Sequence, residues 1–538
     1  MRTAIRYLFA ITSSFTVPAL FASAAVSAEK IFISYGFLDF SLSVESLEIY
    51  ANEGRITKEF ATYAGFLEPE QLESLRNLLV QPADLTPVLI SQFFYSPQGE
   101  IILQELGEII QTKAGENGFY ALRSALILAA ADEEGLTLIN AIRKFPTYGI
   151  RINSQRGLEV FRDINRIIGK TEDAIALVRQ QSLVEVYSAP QRDFTARQDL
   201  RIIGNLPFLK QSFILKDTAR QRTFPAEIYL PQLPQTSPLP LVVISHGLGS
   251  DVTTFAYLAI HLASHGFAVA VLEHPGSSAE QINALFTGLA QEVTPPEELV
   301  NRPLDVKYLL DQLEIAFGTI IDTQRVGMIG QSFGGYTSLV MAGADLNQEQ
   351  LNQECSAEKN PLNVSLLLQC LALNAQLPSG ATLQDERIVA AIAINPLTSI
   401  IFGQSQLSKI QVPVMMMGGS VDTVTPALLE QITPFTWLNT SEKYLALLEK
   451  GTHFSTIAGD EDSEEGGSIP VPAEAIGPNP EVAKTYLRAL SLAFMKTYLA
   501  REIEYLDYLN AGYGQSISSQ EMPLHLLEEL DLTEEESD

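Results

Sequence analysis

Three residues far apart in the chain have the types and the order that acyl transfer by a serine requires. In "RVGMIGQSFGGYTSLVMAG" (325–343) an apolar run leads into a glycine-bracketed serine, Ser332, and then into an amphipathic helical stretch. A hydroxyl held at the tip of a strand–turn–helix is exposed for attack on a carbonyl carbon. A serine alcohol is nevertheless a weak nucleophile and needs a base that a third group orients. The chain carries six histidines. His261 and His265 fall in or at the end of a predicted helix, and His525 falls in an acidic terminus. His246 and His274 end apolar runs upstream of the serine, whereas His453, in "EKGTHFS", follows the last such run. Asp422, in "GGSVDTVTP", follows the run before it. Nucleophile, acid and base therefore come in the order Ser332, Asp422, His453, each just after a predicted strand.

Charge that develops on an attacked carbonyl needs backbone donors. The N–H of Phe333, directly after the serine, is one expected donor, and "SHGLGS" after the first apolar run offers the other at Leu248. His246 and Gly247 then shape that turn. A His246 side chain acting as the base is the lesser reading. His246, Gly247, His274, Gln331 and Asn395 are expected to line the substrate pocket. No metal or cofactor is expected: the two cysteines, Cys355 and Cys370, have no metal-ligand spacing, and the acidic run "GDEDSEEGGS" fits no calcium loop.

The elements that must position these residues lie in the second half. Six near-continuous apolar runs ("PLVVISHG", "FAVAVLEHPG", "RVGMIGQS", "RIVAAIAINP", "VPVMMMGGSVD", "KYLALLEKGTH") alternate with helical stretches. Strands covered by helices on both faces read this way. The alternation predicts a doubly wound, mostly parallel α/β sheet with its ligand crevice beyond the strands' carboxyl ends. The glycine-bracketed serine, with its partners in this order, has the pattern of the α/β-hydrolase elbow. Long insertions follow His274 and the helix after Ser332, and either can serve as a lid. Residues 29–188 read as a mainly helical accessory domain, with Leu72, Leu75 and Leu79 on one face of a helix that opens at Pro69. Residues 189–508 are then the catalytic domain and 509–538 a frayed acidic tail.

At 538 residues and 46% hydrophobic content the chain can bury large cores. Its net charge of −29 argues against nucleic-acid or anionic-membrane partners. Arg2 and Arg6, an apolar stretch and "ASAAVSA" predict a signal peptide over 1–28 and export to the periplasm or medium. Pro18 and nearby hydroxyl residues weaken the competing reading as a retained anchor, so no transmembrane segment is expected in the mature chain. Export puts Cys355 and Cys370 where a disulfide between them is expected.

"SHGLGS", "VLEHPGSS" and "GQSFGG" together resemble platelet-activating-factor acetylhydrolases and the neighbouring dienelactone-hydrolase-like and polyester-hydrolase-like esterases, over roughly residues 205–500. Residues 29–188 resemble an uncharacterised domain that precedes such hydrolases in exported bacterial proteins. The resemblance implies a serine esterase acting on a small-molecule or lipid ester. Gln331 replaces a histidine common before the nucleophile, and Pro275 stands where the acetylhydrolases tend to have arginine. Their aspartate follows the strand after the nucleophile strand, where this chain has Asn395. An α/β-hydrolase peptidase and an inactive binding scaffold are the rivals.

Overall fold

The computed structural model describes residues 27–35, 38–83, 85–188, 192–234, 237–355, 363–457 and 473–532. The expected signal segment up to residue 26, the acidic run at 459–468 and the last six residues lie outside them. The described residues form two compact units: those through Pro87 with Leu106–Gln155, and Val88–Glu105 with everything from Arg156.

The first unit carries a four-stranded sheet in the order β2-β1-β4-β3, from β1 (Lys30–Tyr35), β2 (Leu38–Ser43), β3 (Ile110–Thr112) and β4 (Gly149–Asn153). Helices supply the rest of its core, with Leu47, Tyr50, Phe60, Leu79 and Ile139 buried together. The helix Pro69–Val80 starts on its proline and buries Leu79, as its periodicity predicts. Strands β3 and β4, at three and five residues, are too short to register as a pattern in a helical context.

The second unit is built on nine strands: β5 (Phe208–Asp217), β6 (Arg222–Pro231), β7 (Leu239–Ser245), β8 (Ala268–Leu272), β9 (Ile321–Gln331), β10 (Ile388–Ile394), β11 (Val414–Gly419), β12 (Lys443–Leu448) and β13 (Leu524–Leu527). Their order is β13-β12-β11-β10-β9-β7-β8-β6-β5. The stretch from β12 to β8 is parallel throughout, and β13, β6 and β5 add antiparallel edges. Along β7 alternate side chains enter opposite layers: Leu241 and Val243 pack on one face, Val242 and Ile244 on the other. Burial on both faces is why the run reads as unbroken apolar residues.

Two expected boundaries are corrected. The long helix Ser154–Ser188 contributes Ala174 and Val178 to the core of the α/β unit, because residues four apart form one helical face. The segment from 509 is not a frayed tail up to Asp531: helix Ala511–Ile517 and β13 follow, and Leu524, Leu526 and Leu527 are buried. Their run "LHLL" is apolar enough to extend the sheet despite the acidic residues after it.

Candidate active site

Parallel strands carry their carboxyl ends to one side of a sheet, and here six chemically capable residues stand at that side. His246 follows β7, and beyond β8 comes His274. Ser332 directly follows β9, Asn395 directly follows β10, and Asp422 and His453 lie just past β11 and β12.

Ser332 has φ 55° and ψ −116°, a conformation that costs an L-residue on the order of 1–3 kcal/mol. The turn around it is tight because backbones touch. A Cβ on Gly330 would lie 2.0 Å from the Gly334 carbonyl oxygen, and one on Gly334 would lie 2.0 Å from that of Ser245. Close approach therefore demands these glycines. Helix Phe333–Met341 begins directly after the serine. Among the described residues, no hydrogen bond occupies the N–H of Phe333 or of Leu248.

The Leu248 N–H is aimed by the peptide unit it belongs to. His246 Nε2 lies 3.0 Å from the His274 N–H, which donates to it, so the ring proton sits on Nδ1. From there it donates to Gly247 O at 2.6 Å. Gly247 O and Leu248 N–H share one trans peptide and point in opposite directions, so holding the oxygen on one side presents the N–H on the other. A Cβ on Gly247 would lie 2.3 Å from Gln331 Oε1 and would displace that side chain.

On the far side of Ser332, His453 Nδ1 donates to Asp422 Oδ2 at 2.8 Å. The same oxygen accepts from Asn395 Nδ2 at 2.6 Å and Thr425 Oγ1 at 2.8 Å. Asp422 Oδ1 accepts the N–H groups of Val424 and Thr425 at 2.8 and 2.7 Å. Burial alone would raise this carboxyl, but the facing His453 and the Thr425 donors outweigh it and hold the pKa below the ordinary value. Gln331 Nε2 donates to His453 O at 3.2 Å, tying the histidine loop to the residue before Ser332. No hydrogen bond joins Ser332 Oγ to His453 among the described residues; such bonds often tighten only on a bound substrate.

Of the residues expected to line a pocket, His246, His274, Gln331 and Asn395 are 0, 0, 1 and 2% exposed, and both histidine rings, Gln331 Nε2 and Asn395 Nδ2 make internal hydrogen bonds. His274 Nδ1 donates to Asp305 Oδ2 at 3.0 Å and its Nε2 accepts from Ser245 Oγ at 3.0 Å. Ser245, His274 and Asp305 thus make a second serine–histidine–aspartate chain. All three are 0% exposed, so no substrate reaches Ser245. Burial, reinforced by the nearby Arg302 charge, holds His246 and His274 far below the usual histidine pKa, and both remain neutral.

Sequence reasoning missed Thr425, Arg302, Asp305 and Glu430. Glu430, 0% exposed, accepts from Asn363, Ser365, Gln369 and Ser399 side chains through Oε1. Its Oε2 accepts the N–H groups of Thr398 and Ser399. This carboxylate fastens residues 363–369 of the insertion to the loop after β10. The Cys355–Cys370 disulfide ties the same segment to the end of helix Gln348–Glu354 as well. No pattern of spacing marks a buried carboxylate whose donors come from two segments remote from it in the chain.

The strand order, the strained serine and the acid–histidine pair at the carboxyl edge define an α/β-hydrolase fold. Residues 27–153 match a family model described as "Alpha/beta hydrolase of unknown function (DUF1400)". Residues 209–302 match one described as "Platelet-activating factor acetylhydrolase, isoform II". The chain is similar to the platelet-activating factor acetylhydrolase of Canis lupus familiaris, 30% identical over 147 residues, which cover 20% of this chain and 32% of that protein. The Bos taurus counterpart is 28% identical over the same shares. Cutinase 2 of Thermobifida cellulosilytica is 21% identical over 278 residues, 50% of this chain and 72% of the cutinase. The chain thus spans about a third of the length of the two acetylhydrolases it matches.

Proposed function

We propose that the protein is a serine hydrolase of carboxylic esters, with Ser332 as nucleophile, His453 as base and Asp422 as the acid that orients it. The observation that carries this reading is Ser332 itself: a non-glycine residue at φ 55° on a strand–helix junction. Such strain persists only where surrounding structure enforces it, and it is concentrated at active sites. In the proposed reaction Ser332 Oγ attacks the carbonyl carbon while His453 Nε2, the ring nitrogen that Asp422 does not hold, takes the hydroxyl proton. The Phe333 and Leu248 N–H groups receive the oxyanion. The C–O bond to the alcohol then breaks, His453 returns the proton to the leaving oxygen, and an acyl-Ser332 ester remains. Water activated by His453 repeats the sequence and releases the acid. Ionised Asp422 stabilises the imidazolium in both halves.

Similarity to an acetylhydrolase and a cutinase favours an ester over an amide. We also infer that the protein works outside the cytoplasm, which the Cys355–Cys370 disulfide supports. Among the described residues no helix is long and apolar enough to cross a membrane. The test compares p-nitrophenyl esters with p-nitroanilides in wild type and Ser332→Ala. Ester turnover that falls by at least about 10⁴ in the variant is expected. Ester turnover retained in Ser332→Ala, or faster cleavage of anilides, overturns the assignment.

A further inference from the structure

We propose that Arg302 is a positioning residue that clamps together the two segments supplying the oxyanion donors; this rests on the reading of Ser332 as the nucleophile. Arg302 lies in helix Glu298–Phe317 and is 0% exposed. One guanidinium nitrogen, Nη2, donates to the carbonyl of His246, one residue before the Gly247–Leu248 peptide. The guanidinium carbon also stands over the Phe333 ring, 4.3 Å from its centroid. A single side chain therefore touches the loop that presents Leu248 N–H and the residue that presents Phe333 N–H.

The backbone next to Arg302 reinforces the same docking. Pro303 has no N–H, so the Leu299 carbonyl four residues earlier loses its helical partner. Tyr336 OH, from the helix that starts at Phe333, donates to that carbonyl at 2.7 Å. A proline that would weaken an isolated helix thus opens an acceptor that registers one helix against the other. Arg302 is an expensive group for this position as a stability element. Among the described residues its Nε and Nη1 have no hydrogen-bond partner, and burial lowers its pKa to about 9, which leaves it charged at neutral pH. A buried cation so incompletely satisfied is poor evidence for stabilisation, and its contacts with the His246 carbonyl and the Phe333 ring lie on the donors' two segments. The platform beneath includes Arg222, which binds Glu298 and Asp305 at 2.7 and 2.8 Å, and Ser277, whose carbonyl accepts the Gly249 N–H at 2.8 Å.

The experiment uses the full chain with Arg302→Met, of similar length and no charge, and Arg302→Lys, which keeps a charge and an N–H donor. Each is measured for ester kcat and KM and for the affinity of an alkyl boronic acid, whose adduct on a serine mimics the tetrahedral oxyanion. Removing one oxyanion donor costs about 10²–10³ in kcat. A displaced hole in Arg302→Met should fall toward the lower figure, about 10², with boronate affinity down in proportion and KM within about threefold. Arg302→Lys should lose less in both quantities together, and it decides the matter if the Met chain does not fold. Folded variants with wild-type kcat, or a kcat loss without a matching boronate loss, overturn the clamp. A boronate that fails to bind wild-type Ser332 sinks the nucleophile reading instead.

Discussion

Replacing Asp422 by asparagine exchanges one oxygen for an NH₂ group and should nearly abolish turnover. The amide can be seated in two ways. With its NH₂ in place of Oδ1 it would face the N–H groups of Val424 and Thr425, donor against donor, at sites 2.8 and 2.7 Å away. With its NH₂ in place of Oδ2 it faces His453 Nδ1, Asn395 Nδ2 and Thr425 Oγ1. The second seating is preferred, because a hydroxyl can rotate, an amide can flip and an imidazole can change tautomer, whereas backbone N–H groups cannot. In that seating the introduced amide donates to His453 Nδ1, the ring proton moves to Nε2, and the nitrogen that should receive the Ser332 proton is already protonated. The negative charge facing the imidazolium is lost as well. The same substitution in the serine-protease template lowers kcat by about 10⁴ with geometry intact, or about 5 kcal/mol of barrier. Asp422→Asn should show that loss in p-nitrophenyl ester turnover at pH 7, with KM little changed. A variant that retains more than a tenth of wild-type kcat would refute the assignment of the acid.

Asn395→Ala should cost less than about tenfold in kcat, since it removes one of several donors to Asp422 and leaves the His453 bond; a larger loss than in Asp422→Asn would move the acid. Asn395→Asp should be worse than the alanine, because a second carboxylate would replace a donor 2.6 Å from Asp422 and one of the pair must take up a proton; the readout is ester kcat against pH. The depressed Asp422 pKa contributes stability that is present above about pH 4, the unfolded value, and is lost as pH falls through the folded value. The Tm advantage of wild type over Asp422→Asn should therefore narrow between pH 5 and pH 3, and a widening gap contradicts the sign. Glu430→Gln should destabilise the fold by about 3 kcal/mol, because an amide nitrogen in place of either oxygen confronts donors with a donor; urea melts check it. Cys370→Ser opens a loop with a sequence separation of 15 and should lower stability by about 3 kcal/mol in the chain-entropy view, measured against wild type without reductant.

Sequence patterns carried the parallel strands and the order of Ser332, Asp422 and His453, because continuous apolar runs and chain order are one-dimensional signals. The strand ends then converge by topology alone. What they could not carry was the role of a buried polar atom. His246 and His274 end strands as visibly as His453 does, yet their rings are turned inward to Gly247 O and Asp305. Asn395 occupies the place where the resembling family has its acid, and it instead holds Asp422. Arg302, in "NRPLDV", reads as an ordinary charged residue at a helix start. The Ser245–His274–Asp305 chain has the same residue types as the one proposed for catalysis, but it lacks the glycine-bracketed serine and the serine–aspartate–histidine order, and it is 0% exposed throughout.

That pair of serine–histidine–aspartate sets makes fluorophosphonate labelling the most direct test of the central claim. The reagent forms a stable adduct only on a serine activated by a base and served by an oxyanion hole. Peptide mapping of the labelled full chain should locate one adduct, on Ser332, absent from Ser332→Ala and strongly slowed in Asp422→Asn. An adduct on Ser245, or ester turnover by a chain whose Ser332 stays unlabelled, would contradict the account.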